Sequence, residues 1–139
     1  MRVLLISTLV CFGILTSPAQ VTGLWSTYDD ADGKEKSVVE IFEQQGKLYG
    51  KVVKLNPAVK NPNCAKCTGD LKDKPIVGMV IIKDLTKTDT GGKDGKVLDP
   101  NNGKVYSCYL ELIEPDKLKL RGYIGAAAFG RTQYWYRAK

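Results

Sequence analysis

Short segments in which apolar and polar residues alternate run along most of the chain. Turn-forming residues separate these segments, and no window keeps a helical apolar period over three turns. The segments span residues 23–29, 36–44, 47–55, 75–85, 96–99, 103–113, 116–125 and 131–138. Closely spaced strands of this kind predict an all-β sandwich or barrel.

The alternation also assigns one face of each strand to the interior. Cys108 and Leu110 share a face in the sixth segment, and Leu118 and Leu120 share one in the seventh, opposite lysines. An antiparallel sheet that buries one face still has two edge strands with unpaired backbone groups. Closure of the sheet into a barrel pairs these two strands with each other. We therefore predict a small eight-stranded antiparallel up-and-down barrel, with one long loop over 56–74 between the third and fourth strands. Such a barrel has room for its own side chains or for one small ligand.

The first residues follow a different pattern. Arg2 precedes an apolar stretch that ends at Leu15, and small residues follow up to Ala19. This is the pattern of a secretory signal peptide, and the apolar run is short for a membrane anchor. We predict a signal peptide over 1–19 and a single domain over 20–139, in the periplasm or outside the cell. No transmembrane segment is expected in the mature chain.

The charges are scattered. The chain has 139 residues and a net charge of +6, but its lysines are interspersed with aspartates and form no basic run. Aromatic residues do not alternate with arginines along one face, so binding to nucleic acid is not expected. A surplus of positive charge is compatible with weak attraction to an anionic membrane surface.

The composition also argues against catalysis. The chain has no histidine, which excludes Ser-His-Asp and Cys-His catalysis and histidine metal sites. Paired carboxylates, a G-x-S-x-G motif and a phosphate loop are not recognisable. The acidic stretches 29–40 and 89–96 do not place ligands in the order of an EF-hand, and they predict polar turns instead. We expect a protein that is not an enzyme and that needs no cofactor or metal.

Two closely spaced cysteines raise three alternatives. Cys64 and Cys67 could form a redox pair, a zinc site with Asp70 as a further ligand, or a disulfide. A disulfide is favoured because no helix pattern follows the pair and the cysteine and histidine ligands are too few for zinc. It would stiffen the 56–74 loop. Cys108 is expected to act as a small apolar side chain, with a bridge from the loop to Cys108 as the alternative.

The first strand carries a recognisable motif. Gly23-Leu24-Trp25 resembles the G-x-W signature of lipocalins. In lipocalins, an arginine from the end of the last strand lies over that tryptophan. Because the first and last strands of a closed up-and-down barrel are antiparallel, Arg137 is expected beside Trp25. Arg131, at the far end of the same strand, is the second candidate.

A wider resemblance covers residues 23–137. The stretches GLW, LDPNNGKVYSC, LKLRGYIG and GRTQYWYR are similar to those of a bacterial exported family known as domain of unknown function 2147. The resemblance implies a small lipocalin-like barrel outside the cytoplasm, and it implies no reaction.

Five apolar or aromatic residues are candidates for contact with a ligand. These are Leu118, Leu120, Phe129, Tyr134 and Tyr136. The two leucines face the interior, while aromatic residues on the closing strand are expected to fill the core or to line a pocket. The stretch 124–132 predicts either a helical turn that plugs one barrel end or an apolar rim that touches a ligand or a membrane.

Two functions fit these observations. The first is non-covalent binding of a small apolar molecule, inside the barrel or under the 56–74 loop. The alternative is a non-enzymatic structural or interaction module of the cell envelope, with a side-chain-filled barrel and an envelope protein as partner. An internal cavity would favour the first function, and a packed interior would favour the second.

Overall fold

Each strand pairs with its neighbours in chain order, and the last strand returns to the first to close a barrel. In this computed structural model, residues 9–13 and 20–139 are described. The strands are β1 (Gly23–Tyr28), β2 (Glu35–Gln44), β3 (Lys47–Leu55), β4 (Val80–Lys87), β5 (Gly91–Asp99), β6 (Lys104–Glu114), β7 (Lys117–Tyr123) and β8 (Gly130–Arg137). All pairings are antiparallel, which confirms the predicted barrel. The predicted signal peptide over 1–19 lies largely outside the described residues.

The up-and-down order puts alternate connections at opposite ends of the barrel. The end that we call the loop end carries the four odd-to-even connections, over 29–34, 56–79, 100–103 and 124–129. The other end, called the Trp25 end, carries the three short turns and the start of β1. A short 3-10 helix, Gly69–Leu71, lies in the loop between β3 and β4. Within the described ranges, no helix is long and apolar enough to cross a membrane.

Apolar side chains fill the barrel. The inward positions expected in β6 and β7 are buried, with exposed fractions of 0% for Cys108 and Leu118 and 6% for Leu120. The largest fully buried side chains are those of Trp25, Ile41, Leu48, Ile82, Leu85, Leu110 and Leu118. Full burial of one such side chain stabilises the fold by roughly 1.5–3 kcal/mol.

Strand β5 is longer than predicted. We expected a strand over 96–99 and a polar turn over 89–96, whereas β5 begins at Gly91. Glycines account for the difference. A Cβ on Gly95 would lie 2.6 Å from Leu85 Cδ2, and one on Gly92 would lie 3.0 Å from Leu85 Cβ. Leu85 therefore fills the space in front of β5, and a strand with glycines at these positions shows no apolar alternation.

Strand β4 begins later than predicted. The apolar segment 75–85 predicts a strand from its first residue, but β4 begins at Val80. The preceding residues belong to the long loop, where Ile76 and Met79 are 7% and 6% exposed. The Val52 N–H donates a hydrogen bond of 3.0 Å to the Met79 carbonyl. The loop thus adds its own side chains to the core, and this is why its sequence resembles a strand.

Candidate functional site

Trp25 and Arg137 join the first strand to the last. They are register partners, and the guanidinium carbon of Arg137 lies 4.1 Å from the centroid of the Trp25 ring. The guanidinium group donates hydrogen bonds of 2.9 Å to three backbone carbonyls, those of Gln20, Thr22 and Pro115. The Trp25 indole N–H donates to the carbonyl of Val21 at 2.8 Å. One arginine therefore ties the segment before β1 to the β6–β7 turn.

Arg131 lies at the loop end, away from Trp25. It forms an ion pair with Asp30 in the β1–β2 loop. The Gln133 amide also donates to Asp30, at 3.2 Å, and the indole N–H of Trp135 donates to Gln133 at 3.4 Å. This chain of polar contacts holds the β1–β2 loop against β8, where the two strands themselves are not paired.

The long loop is fixed by its disulfide. Cys64 and Cys67 are bonded, with Cα atoms 5.3 Å apart, and they are 0% and 3% exposed. The Cys64 sulfur lies 3.7 Å from the carbonyl oxygen of Pro100. Gly103 lies so close to the Lys66 carbonyl that a Cβ would not fit between them. The loop therefore packs on the β5–β6 turn.

A groove with a volume of about 710 Å³ lies on the outer surface over β8, β1, β2 and β3. The strand registers place Tyr136, Ser26, Val38 and Lys54 in one row across these four strands. Ser26 and Val38 point away from the interior, yet they are only 6% and 8% exposed. They form the floor of the groove.

Aromatic and charged side chains surround this floor. The rings of Tyr28 and Tyr136 meet edge to face, with centroids 5.7 Å apart. Leu24 and Val53 add apolar side chains to the lining, and Glu35 and Lys54 contribute one charged group of each sign. A second concavity, of about 320 Å³, adjoins the groove at Tyr136 and Arg137, and Asp116 also lines it. Both concavities lie outside the barrel.

Comparison with known proteins agrees with this architecture. The family described as "Uncharacterized protein conserved in bacteria (DUF2147)" matches residues 23–137. The chain belongs to the DUF2147 family. A search of curated proteins found no match. A solved structure of protein HP1028 from the human pathogen Helicobacter pylori, described as belonging to the lipocalin family, has a TM-score of 0.77 to this chain. The match covers 88% of this chain and 85% of the HP1028 chain, and the two sequences are 23% identical. The likeness confirms a lipocalin-like fold.

The five predicted ligand contacts occupy three different places in this DUF2147 protein. Leu118 and Leu120 lie inside the barrel. Tyr134 and Tyr136 point outwards, at 45% and 43% exposure, because the inward residue of that stretch is Trp135. Phe129 is 76% exposed at the loop end. The five therefore do not form one pocket, and only Tyr136 lines the groove.

Sequence reasoning missed the floor of the groove. Ser26 and Val38 come together because β1 and β2 pair at that register. Alternation along one strand does not reveal register between strands. The available signal was an apolar Val38 at an outward position, beside Val39 at an inward one.

Cys108 acts as an apolar core residue and not as a reactive thiol. It is fully buried, and burial raises the pKa of its thiol from 9.0 to about 12, with a smaller opposing effect from Lys96. A thiol with this pKa stays protonated and packs as an apolar group. Among the described residues, no group of three or more histidine, cysteine, aspartate or glutamate side chains is arranged to hold a metal ion.

Proposed function

We propose that this DUF2147 protein binds a small, mostly apolar molecule without transforming it. The groove over β8, β1, β2 and β3 carries the proposal, because it is an open concavity of about 710 Å³ whose floor residues, Ser26 and Val38, are almost fully buried. A buried floor, two tyrosine walls and a few charged groups at the rim are also typical of such sites. The lipocalin-like fold supports small-molecule binding in general terms.

The groove is a better location than those expected from the sequence. Inside the barrel, the space between the strands is occupied by side chains such as Trp25, Leu85 and Leu118. Under the 56–74 loop, the buried disulfide packs on the β5–β6 turn. A ligand at either place would have to displace packed atoms, whereas the groove is open to solvent.

The chemistry of the groove suggests the shape of its ligand. A flat apolar part would lie over Ser26 and Val38, against the rings of Tyr28 and Tyr136. A polar or ionised group would sit between the Lys54 and Glu35 side chains at the rim, which would fix its orientation. We further propose that the protein acts without catalysis after export, in a compartment where its disulfide is stable.

Two neighbouring tyrosines provide a matched test. Tyr134 and Tyr136 both point outwards from β8 with similar exposure, but only Tyr136 lines the groove. Wild type and variants are titrated with the fluorescent probe N-phenyl-1-naphthylamine. We expect Tyr136→Ala to weaken binding about tenfold, which is about 1.4 kcal/mol, and Tyr134→Ala to leave it within about twofold. Equal weakening by both variants, or no saturable binding to wild type, would overturn the assignment. Native mass spectrometry of protein purified from its own envelope would then identify the class of natural ligand.

The filled interior favours a second function. A barrel packed with its own side chains can serve as a rigid module that presents its loops to an envelope protein. This function is supported if wild type binds no probe and carries no small-molecule mass after purification, while cross-linking in the envelope captures a defined protein partner. Retention of a small molecule by wild type, and its loss in Tyr136→Ala, would argue against it.

A further inference from the structure

A serine hydroxyl group lies in the floor of the groove. Ser26 lines the groove, and the residue is 6% exposed. Its register partners on the neighbouring strands are Tyr136 of β8 and Val38 of β2, which line the same groove. The hydroxyl group is therefore set between an aromatic ring on one side and an aliphatic side chain on the other.

This hydroxyl group has no partner within the protein. No other described residue forms a hydrogen bond with Ser26 through its side chain, whereas the buried hydroxyl groups of Thr27 and Ser37 bond to each other at 2.6 Å. Within the described ranges, every side-chain oxygen or nitrogen that is fully enclosed has a hydrogen-bond partner. The Ser26 oxygen is therefore not enclosed. It faces the space of the groove, where water bonds to it in the free protein.

A purely apolar ligand would pay a penalty at this point of the floor. A molecule that covers the groove removes water from the Ser26 hydroxyl, and a hydrogen bond that is lost and not replaced opposes binding. A ligand with a hydroxyl or carbonyl oxygen at the same point replaces the water as a partner. Sites that contain such a group therefore discriminate against analogues without the matching polar atom.

From these observations we infer that Ser26 selects aromatic ligands that carry a hydroxyl or carbonyl oxygen on an otherwise apolar ring system. The inference rests on the proposed function and specifies the ligand class of the same groove. The rings lie on Val38 and against Tyr136. The ligand oxygen meets the Ser26 hydroxyl, which can donate or accept a hydrogen bond. The row from Tyr136 to Lys54 crosses four strands, or about 14 Å, and this length accommodates two fused rings.

Two probes of nearly the same shape test this selection. A hydroxyl group in 2-naphthol takes the place of the methyl group in 2-methylnaphthalene. Both compete with N-phenyl-1-naphthylamine for the full chain, and the ratio of their affinities is compared between wild type and Ser26→Ala. The different hydration of the two probes cancels in this comparison. We expect Ser26→Ala to lower the preference for 2-naphthol about tenfold. The variant should bind 2-methylnaphthalene more tightly than wild type does, because no hydroxyl group loses its water.

Two further variants support the comparison. Ser107→Ala is the matched control, because Ser107 is a half-buried serine on β6 whose hydroxyl accepts a hydrogen bond of 2.9 Å from Lys96, outside the groove. It should keep both affinities within about twofold. Val38→Thr puts a second hydroxyl group in the floor with little change of shape. We expect it to weaken 2-methylnaphthalene more than 2-naphthol, and it tests the same idea if Ser26→Ala does not fold.

The possible failures are distinguishable. The inference is wrong if a folded Ser26→Ala keeps the wild-type ratio or weakens both probes equally, as loss of a merely structural residue would. It is also wrong if N-phenyl-1-naphthylamine binds and 2-naphthol does not compete, or if Val38→Thr leaves the ratio unchanged. Absence of saturable binding of all three compounds to wild type would instead refute the proposed function, and selection by Ser26 with it.

Discussion

Replacement of Arg137 by alanine tests whether this residue closes the barrel. The substitution removes the contact of 4.1 Å with the Trp25 ring and the three hydrogen bonds to backbone carbonyls. The cation–π contact is worth about 1 kcal/mol at a partly exposed site. Hydrogen bonds from a charged donor are worth roughly 1.5–3 kcal/mol when buried. In the variant, water can replace part of these three hydrogen bonds, so we expect their loss to cost about 2 kcal/mol in total.

The expected loss in the free energy of unfolding is therefore about 3 kcal/mol, or roughly 10 °C in Tm for a domain of this size. Urea denaturation followed by tryptophan fluorescence measures it, with Trp25 reporting directly on the site. Arg137→Lys should recover only part of the loss, because one ammonium group cannot reproduce the planar fork that reaches three carbonyls.

Arg131→Ala is the matched control. It removes an arginine from the same strand, but this arginine forms an exposed ion pair with Asp30. The side chains of Arg131 and Asp30 are 67% and 41% exposed. Exposed pairs contribute about 0–1 kcal/mol. If Arg131→Ala destabilised the protein as much as Arg137→Ala, or if Arg137→Lys were as stable as wild type, closure of the barrel by Arg137 would be refuted.

The remaining predictions concern space and thiol chemistry inside the fold. Gly95→Ala should lower the free energy of unfolding by about 1–3 kcal/mol, because its Cβ would lie 2.6 Å from a leucine carbon. Gly122→Ala should stay within about 0.5 kcal/mol, since its nearest neighbour would be 3.8 Å away, and equal urea midpoints for the two variants would contradict this. Reduction of the Cys64–Cys67 bridge should cost about 2 kcal/mol, whereas an unchanged urea midpoint in reductant would show that the bridge adds no stability. Iodoacetamide should label Cys108 in urea but not in the native protein at pH 8, because burial keeps the reagent away from the thiol and raises its pKa to about 12; mass spectrometry of the peptides reads this out.

The fold was predictable because its main signal is local. Side chains alternate in and out along each strand, so apolar alternation identifies a half-buried strand without knowledge of its partners. The lipocalin resemblance implied an arginine over Trp25, and antiparallel closure, which brings the end of β8 to the start of β1, favoured Arg137 over Arg131 for that position. Where glycine replaces the inward side chain, as at Gly92 and Gly95, the alternation vanishes and the first half of β5 was taken for a turn. The apolar residues at 75–79 caused the opposite error, because they made the predicted β4 longer than the observed strand, which begins at Val80.

The candidate sites were less predictable because they depend on contacts between distant segments. Ser26 and Val38 become the floor of one groove only through the register of β1 with β2. Phe129 is exposed in a connection that is tied to β7 by hydrogen bonds from Arg121 to the Ala127 carbonyl. Neither relation leaves a periodic pattern in the sequence.

The filled interior has a consequence for where this barrel can act. Eight strands enclose a space just wide enough for side chains, and here it holds two buried tryptophans, Trp25 and Trp135, among other apolar side chains. Ligand contacts then have to form on the outer wall or at the ends, where large apolar side chains remain exposed. The groove at Tyr136 is such a place, and Phe129 lies outside it. Because separated sites contribute independently, Phe129→Ser should leave probe binding intact. Loss of probe binding in Phe129→Ser would indicate a damaged barrel instead of a damaged site.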